Sequence, residues 1–306
     1  MNLMEKKDIA PMLLASQKQP FDDEDYIFEL KLDGIRCIAY LDSNRTNLRN
    51  KRNKELLSLY PELKDLHLQA KKPCILDGEL VVLNRDGSPN FALLQKRSLL
   101  TDKLKIEIES EKHKVHFVAY DILYIDGISI VDKPLLERKK YLKDNIKENN
   151  LLNISRFIST NGIKLFNLTK QLSLEGIVAK RKDSEYEIGK RSKGWIKIKN
   201  LIDEDLLICG IKLDENGLIK DLILCEKKND GFLYRGKVFL NISKEEQKII
   251  LNFAKSQKLK SPLFKNLQDK DIVWIKPELY CTIEYMHLTK DNNMRQPVFK
   301  GLRDDK

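Results

Sequence analysis

Phe28-Glu29-Leu30-Lys31-Leu32-Asp33-Gly34-Ile35-Arg36 is the stretch on which the reading of this chain turns. Period two sends Phe28, Leu30 and Leu32 to a core and puts Glu29, Lys31 and Asp33 on the opposite face. Asp33-Gly34 reads as a turn, so residues 26–41 are expected to form two strands around it. A lysine flanked by acids before a glycine turn is either a solvated strand end or a nucleophile. A lysine amine attacks phosphorus only in its uncharged form, which nearby cations or a metal favour and bare carboxylates oppose.

Other segments repeat this polar-face geometry. Ile75-Leu76-Asp77-Gly78-Glu79-Leu80-Val81 places Asp77 and Glu79 on one side. In Leu174-Glu175-Gly176-Ile177-Val178-Ala179-Lys180, Glu175 opens an apolar strand. In Gly194-Trp195-Ile196-Lys197-Ile198-Lys199-Asn200, Trp195, Lys197 and Lys199 share a face and Ile196 and Ile198 take the other. Two lysines projecting together suit a polyphosphate. A carboxylate such as Glu175 suits a hard divalent cation that keeps several waters. Taken singly, each segment also reads as an ordinary solvated strand face.

Around these segments the chain is organised in two parts. Strand-like and helical runs alternate to about residue 200, with strands expected at 74–83, 115–125, 175–181 and 194–199. Asn53 to Lys72 reads as helical, interrupted near Pro61, and Pro134 to Leu142 opens a helix with proline in its first turn. Beyond Asn200, Leu206 to Leu240 reads as three short strands with turns at Asp214-Glu215-Asn216-Gly217 and Asn229-Asp230-Gly231. Ser243-Lys244-Glu245-Glu246 is a capping box opening a helix to about Gln257, and residues 271–288 return to strand. Short strands with one inserted helix suggest a small OB-type barrel. The boundary falls near residues 199–205.

The 306 residues suit two domains, and 42% hydrophobic content is enough for real cores. No run of 18 apolar residues exists, so no membrane span is expected, and residues 1–8 hold no signal-like apolar stretch. Five widely spaced cysteines without C-x-x-C indicate neither a zinc site nor a disulfide framework, and point to reduced thiols in the cytoplasm. The formal charge is +10, of which the first 200 residues carry +8, favouring a polyanionic partner such as nucleic acid.

Taken together, the segments resemble the covalent nucleotidyltransferase superfamily of ATP-dependent DNA ligases, RNA ligases and mRNA capping enzymes. Its motifs are matched in order along essentially the whole chain. They run from Glu29–Arg36 through Lys51-Arg52-Asn53, Leu76–Glu79, Ala119–Tyr124, Glu175–Lys180 and Trp195–Lys199 to the tail Arg295–Lys306. That tail is similar to the last motif of DNA ligases. Ala10–Ala15 resembles the opening of the ligase module of bacterial end-joining ligases. Lys51 departs from the family's usual serine, and Tyr120 stands where phenylalanine is common.

The resemblance implies an α+β fold of two domains. Residues 1–200 would be a nucleotidyltransferase (ATP-grasp-like adenylation) domain with antiparallel sheets, and residues 201–306 an OB-fold barrel. It implies an ATP-dependent DNA ligase that seals 5′-phosphate/3′-hydroxyl nicks, in DNA repair, with Lys31 as the nucleophile that carries AMP. Glu29 would accept from the adenine edge or orient its strand, Arg36 would approach the ribose or phosphate, and Arg52 would take the nick 5′-phosphate. Glu79 would bind the ribose hydroxyls, and Tyr120 would stack on adenine. Lys197 and Lys199 would contact the α-phosphate, and Lys197 would also help keep Lys31 neutral by repulsion. Asp33 and Glu175 would hold Mg²⁺ or Mn²⁺. Arg303 and Lys306 would orient pyrophosphate when the second domain closes about a hinge at residues 200–205.

The implied partners are nicked duplex DNA, bound without sequence preference, and a Ku-type end-binding protein. The implied protein is a monomer acting on the bacterial nucleoid. No room is expected for a large N-terminal DNA-binding domain or for the accessory domains of NAD-dependent ligases. Two alternatives stay open. One is an RNA ligase or GTP-using capping enzyme; the other is a non-catalytic nucleic-acid scaffold, against which stand Lys31, Glu175 and Lys197.

Overall fold

The strands on either side of Asp33-Gly34 do not pair with each other. Asp23–Leu30 lies in one sheet and Ile35–Leu41 in another, so the turn carries the chain across a gap instead of closing a hairpin. Gly34 is required there by close approach. A Cβ on it would lie 2.2 Å from the Leu80 carbonyl oxygen and 2.7 Å from Glu79 Cγ.

The computed structural model describes residues 3–239, 242–267, 271–289 and 292–303. Two units emerge, Met1–Asn200 and Leu201–Lys306. The described strands of the first are β1 (Leu13–Gln17), β2 (Asp23–Leu30), β3 (Ile35–Leu41), β4 (Thr46–Asn50), β5 (Cys74–Val82), β6 (Val115–Ile125), β7 (Ile128–Ser129), β8 (Leu152–Ile154), β9 (Phe157–Thr160), β10 (Gly176–Arg181) and β11 (Arg191–Lys199). Its helices are α1 (Leu3–Lys6), α2 (Phe91–Ser98), α3 (Lys103–Lys112), α4 (Leu135–Asn145) and α5 (Gly162–Gln171).

One sheet has the order β1-β11-β10-β2-β9, and the other β4-β3-β5-β6-β7 with β8 beside β6. Pairing is antiparallel except that β1 runs parallel to β11 and β8 parallel to β6. Met12, Ile27 and Trp195 from the first sheet's side pack with Ile38, Tyr40, Ile75 and Leu123 from the second. This seam joins the sheets. Phe166 of α5 covers the outer face of the first sheet with Phe28, Ile177 and Ile198, and a larger cluster covers the second.

Sandwiched sheets bury both faces of a strand, so strict alternation fails in the middle of this unit. Ile27, Phe28 and Glu29 are all buried, and Leu30, expected in the core, is 38% exposed. Ile196 and Ile198 do pack on the opposite side from Trp195, as period two requires.

Residues 53–72 form no α-helix. The segment breaks into the single 3₁₀ turns Pro61–Leu63 and Leu66–Gln69. Leu56, Tyr60, Leu63 and Leu66 are buried at helix-like spacing, so the period is real. Pro61 supplies no amide hydrogen and stops the run from continuing as one helix.

The second unit is an antiparallel five-stranded sheet of β12 (Ile202–Leu213), β13 (Ile219–Lys228), β14 (Gly231–Phe239), β15 (Ile272–Tyr285) and β16 (Val298–Arg303). Its order is β14-β13-β12-β15-β16, with α6 (Lys244–Ser256) inserted between β14 and β15 in the chain. This order and helix position are those of an OB-fold. The capping box is present on both sides: Ser243 Oγ accepts from the Glu246 amide and Glu246 accepts from the Ser243 amide. Ile250 and Ala254, one turn apart, then bury against the barrel interior. All five cysteines are buried free thiols. No helix among the described residues is long and apolar enough to cross a membrane.

Candidate active site

Lys31 is the first residue after β2, and Glu175 the last before β10. The two strands are antiparallel with Leu30 opposite Ile177, and the Lys31 amide donates to the Gly176 carbonyl at 2.9 Å. Lys31 and Glu175 therefore meet at one strand end. Gly176 makes the approach possible. Its φ is +138°, and a Cβ there would lie 2.2 Å from the Ile198 carbonyl oxygen. Lys31 Nζ donates to Glu175 Oε2 at 2.7 Å, and Lys199 Nζ lies 3.3 Å from Glu175 Oε1. Lys199 arrives because it pairs with Gly176 across β11. Burial first, and then the charges of Lys199 and Lys31, lower the Lys197 pKa. Three lysines thus crowd one carboxylate.

The second sheet supplies the opposite wall. Arg36 stands across from Glu79 in the β3–β5 ladder and reaches two pairs further to Asp77. Its Nε donates to Asp77 Oδ1 at 2.7 Å and its Nη2 to Oδ2, a two-pronged pair. The Tyr186 hydroxyl also donates to Asp77, at 2.7 Å. Burial disfavours the Arg36 charge, but Asp77 outweighs it and raises the pKa well above the usual value.

Tyr120 sits at a bulge. Asp77 pairs with Asp121 and Gly78 with Ala119, leaving Tyr120 without a partner between them. A bulge turns a side chain out of the alternation, here toward the first sheet. The ring lies 5.0 Å from the Arg36 guanidinium and 4.6 Å from Lys180 Nζ. Lys180 Nζ is also 3.9 Å from the Trp195 ring centre.

These walls line a cavity bounded by Glu29, Lys31, Arg36, Glu79, Tyr120, Lys180 and Trp195 with Leu14, Leu30, Leu32 and Val178. Flat aromatic and aliphatic walls with charged groups at both ends suit a nucleoside bearing phosphates. Lys31 marks the more open end, at 21% side-chain exposure, and Glu29 the buried end, at 3%.

The two carboxyls of the cavity titrate in opposite directions. Burial would raise the Glu29 pKa, but Lys139 and Lys180 outweigh it, and the result is lowered. Burial pushes the Glu79 carboxyl up to about 8, only partly opposed by Arg36 and Lys31. Lys180 is pushed down to about 8, chiefly by burial.

Not every expected residue falls here. Arg52 does not line this cavity. It lies in a neighbouring cleft with Asn50, Lys51, Gly34 and Ile35, and the two spaces share Arg36 and Glu79 as walls. The reason is the short β4 and its turn, which carry Arg52 past the Glu79 side chain. Lys197, Lys199, Asp33 and Glu175 are outside the lining as well, although Glu175 touches it through Lys31 and Lys199 contacts Glu175 in turn. Arg303 is on β16 of the second unit, 3.5 Å from Asp205. Lys306 lies outside the described residues.

Other contributors carry no strand-pattern signal. Lys139 and Arg138, adjacent on α4, are both buried. Lys139 contacts Glu29 Oε1, and Arg138 holds Asp121, the neighbour of Tyr120, at 2.8 Å. Ser155 donates to Glu29 Oε2 at 2.8 Å, and Lys180 does so at 3.1 Å. Two buried cations in succession on an otherwise amphipathic helix were the one available cue, since they need carboxylate partners.

The fold and this cavity define a nucleotidyltransferase domain followed by an OB-fold. The family comparisons carry the assignment further. The model of the ATP dependent DNA ligase domain matches residues 11–199, and that of the ATP dependent DNA ligase C terminal region matches residues 215–306. The chain belongs to the ATP-dependent DNA ligase family. It is 33% identical over 295 residues to the SPbeta prophage-derived DNA ligase-like protein LigB of Bacillus subtilis, covering 96% of this chain and 99% of that protein. It is 29% identical over 310 residues to the multifunctional non-homologous end joining protein LigD of Mycolicibacterium smegmatis, covering 98% of this chain. It spans only 39% of that LigD's length. A solved structure of mycobacterial DNA ligase D complexed with ATP and MES matches with a TM-score of 0.59 and 26% identity, over 98% of this chain and 96% of that one.

Proposed function

We propose that this ligase seals 5′-phosphate/3′-hydroxyl nicks in duplex DNA through an AMP carried on Lys31. One observation carries the reading: Lys31 Nζ lies at the open end of a cavity walled by Tyr120, Trp195 and charged side chains, 2.7 Å from Glu175. The base would enter toward Glu29 with Tyr120 on its face, the ribose would meet Glu79, and the phosphates would emerge among Lys31, Lys197 and Lys199. The ATP complex of the mycobacterial relative supports ATP as the nucleotide.

The chemistry is three in-line transfers. The Lys31 amine, having released a proton, attacks the α-phosphorus, and the bond to the pyrophosphate oxygen breaks. Glu175 Oε2 is the nearest carboxylate to that proton, and the neighbouring lysine charges favour its departure. A 5′-phosphate oxygen of the nick then attacks the same phosphorus, breaking the P–N bond and restoring the amine. Finally the 3′-hydroxyl attacks the 5′-phosphate and AMP leaves. Splitting one exchange into such steps lowers each barrier. Arg52, in the adjoining cleft, offers a planar fork to the 5′-phosphate.

Asp33 and Glu175 fit Mg²⁺ or Mn²⁺ by donor type, both being hard oxygen ligands. The described residues hold no cluster of three or more candidate metal ligands. Two carboxylates suit an ion that takes its other ligands from water and phosphate. Such an ion, when bound, neutralises charge growing on the phosphates.

The name of the LigD relative supports a place in end joining, and a Ku-type end-binding protein is the partner that this reading assigns. The +8 charge of residues 1–200 supports salt-sensitive, sequence-independent DNA binding. The test is incubation of the full chain with ATP, Mg²⁺ and a singly nicked duplex, beside Lys31→Ala. Sealed strand and an AMP-sized mass gain are expected, both lost in the variant. No mass gain with ATP, or an undiminished gain in Lys31→Ala, overturns the proposal.

A further inference from the structure

We propose that Tyr186, on the connection between β10 and β11, is a positioning residue: its hydroxyl fixes the Asp77 carboxylate, and Asp77 in turn aims the Arg36 guanidinium. The inference rests on the adenylation reading above, because it takes the cavity beside Lys31 for the ATP site and the adjoining cleft for the nick 5′-phosphate.

Arg36 is the group common to both spaces. It walls the cavity that holds Lys31 and the cleft that holds Arg52. A guanidinium has more N–H groups than one carboxylate can take, so Arg36 keeps donors for a ligand after its Nε and Nη2 have bonded Asp77. Asp77 decides where those donors point, since a two-pronged pair fixes the plane of the fork. Asp77 is itself fully buried, and the last torsion of a carboxylate side chain is soft. A further donor, held by the backbone, is what stops it turning.

Tyr186 has the bonding of such a donor. Its oxygen accepts from the Met12 amide at 3.0 Å, and its one proton goes the other way, to Asp77 Oδ2 at 2.7 Å. Burial first, and then the charge of Asp77, raise its pKa well above the usual value, so that proton stays. The residue is anchored on both sides. Its amide donates to the Val131 carbonyl at 2.7 Å, and two residues beyond it bond the leading segment, the Glu187 amide to Met12 Sδ at 3.1 Å and the Gly189 amide to the Ala10 carbonyl at 2.9 Å. The ring stands edge-on to Trp195, with 5.9 Å between centres. Trp195 lines the cavity, but Tyr186 lines neither space, so its hydroxyl acts on a ligand through Asp77 and Arg36. If the hydroxyl only stabilised the domain, its loss would add to any other defect. If it aims Arg36, its effect must vanish once the fork is gone.

The test compares four full chains: wild type, Tyr186→Phe, Arg36→Lys and the double variant. Phenylalanine keeps the ring against Trp195, and lysine keeps a charge beside Asp77 while removing the fork. Adduct formation with ATP and Mg²⁺ is followed by intact mass, and sealing is followed on a pre-adenylated nicked duplex without ATP. Tyr186→Phe should lose between about tenfold and a hundredfold in each rate. Arg36→Lys should lose more, and the double variant should match Arg36→Lys within about twofold. A folded Tyr186→Phe protein with wild-type rates overturns the proposal, as do losses that multiply in the double variant. Tyr186→4-aminophenylalanine, whose N–H is a weaker donor at the same place, should fall between wild type and Tyr186→Phe. If Tyr186→Phe does not fold, this variant decides, and wild-type rates in it overturn the proposal.

Calorimetric binding of ATP to the same set of variants in a Lys31→Ala background repeats the cycle without chemistry and separates this inference from the adenylation reading. Tyr186→Phe should weaken binding there only while Arg36 is present. That pattern without any wild-type adduct sinks the adenylation reading alone. A wild-type adduct with binding that is indifferent to Tyr186→Phe, or weakened equally in Arg36→Lys, sinks the role of Tyr186 alone.

Discussion

Glu29 and Glu79 line the same cavity, yet one is held ionised and the other is pushed up to about 8. Burial acts on both in the same direction. The difference is in their neighbours. Glu29 has Lys139, Lys180 and Ser155 within contact, and no carboxylate competes for them. Glu79 faces Arg36, but Arg36 is already committed to Asp77 by two hydrogen bonds, and Lys31 is committed to Glu175. The lesson is that a cation nearby does not ionise a carboxyl if another carboxylate already owns it. The Glu29 end of the pocket is thereby an acceptor, and the Glu79 carboxyl can still carry a proton at neutral pH.

The comparison breaks most severely at Arg36. Arg36→Met takes both guanidinium hydrogen bonds from Asp77, which is fully buried, and leaves the Tyr186 hydroxyl donating to it. Stranding a buried charge in this way costs about 3–5 kcal/mol. Urea unfolding should show a loss of that size, and Glu79, deprived of its nearest cation, should become still harder to ionise. A loss below about 1 kcal/mol would mean that Asp77 sheds its charge without consequence.

Glu79→Gln gives a smaller effect with a definite sign. The folded protein holds the Glu79 proton to about pH 8, whereas an unfolded carboxyl releases it near the ordinary value of 4.5. Between those values the folded state binds the extra proton, so the wild type loses stability as pH rises. Its contribution is fully present below about 4.5 and gone above about 8. The variant carries no such proton. It should gain on the wild type across this window by roughly 2 kcal/mol, part exposure of the group tempering the effect, and then run parallel. Melting temperatures at pH 5, 7 and 9 check this. A constant gap at all three would show that Glu79 titrates outside the window.

Much of this contrast was visible in the sequence only as a set of motifs. Their order along the chain and the strands that carry Asp77, Glu79, Glu175 and Lys197 were legible because short apolar runs and glycine turns are local signals. Alternation puts Glu29 on the face opposite the core but does not show that this face is buried too, because it assumes a sheet with one buried face and this strand is covered on both. The 53–72 segment misled in the other direction, since four buried residues at helix spacing cover a sheet without forming a helix. The pairing of Lys139 and Ser155 with Glu29 was invisible for a third reason. Each reaches Glu29 over more than a hundred residues of chain, and no local pattern records that pairing. The placement of Arg52 in its own cleft likewise depends on where β4 ends, not on the residues around it.

The smallest effect is expected at Tyr120, and it sharpens the comparison best. Its hydroxyl is 3.4 Å from Glu79 Oε2, at the weak end of hydrogen bonding. If Glu79 were ionised at neutral pH, that hydroxyl would be a charge-assisted donor, and Tyr120→Phe would cost well over 1 kcal/mol. With Glu79 protonated the bond is ordinary and long, so the loss should stay within about 0.5 kcal/mol, and KM for ATP should change less than about twofold. The same variant examined at pH 9, above the Glu79 transition, should show the larger penalty. A phenylalanine that costs the same at pH 7 and pH 9 would mean that the two carboxyls differ less than their neighbours imply.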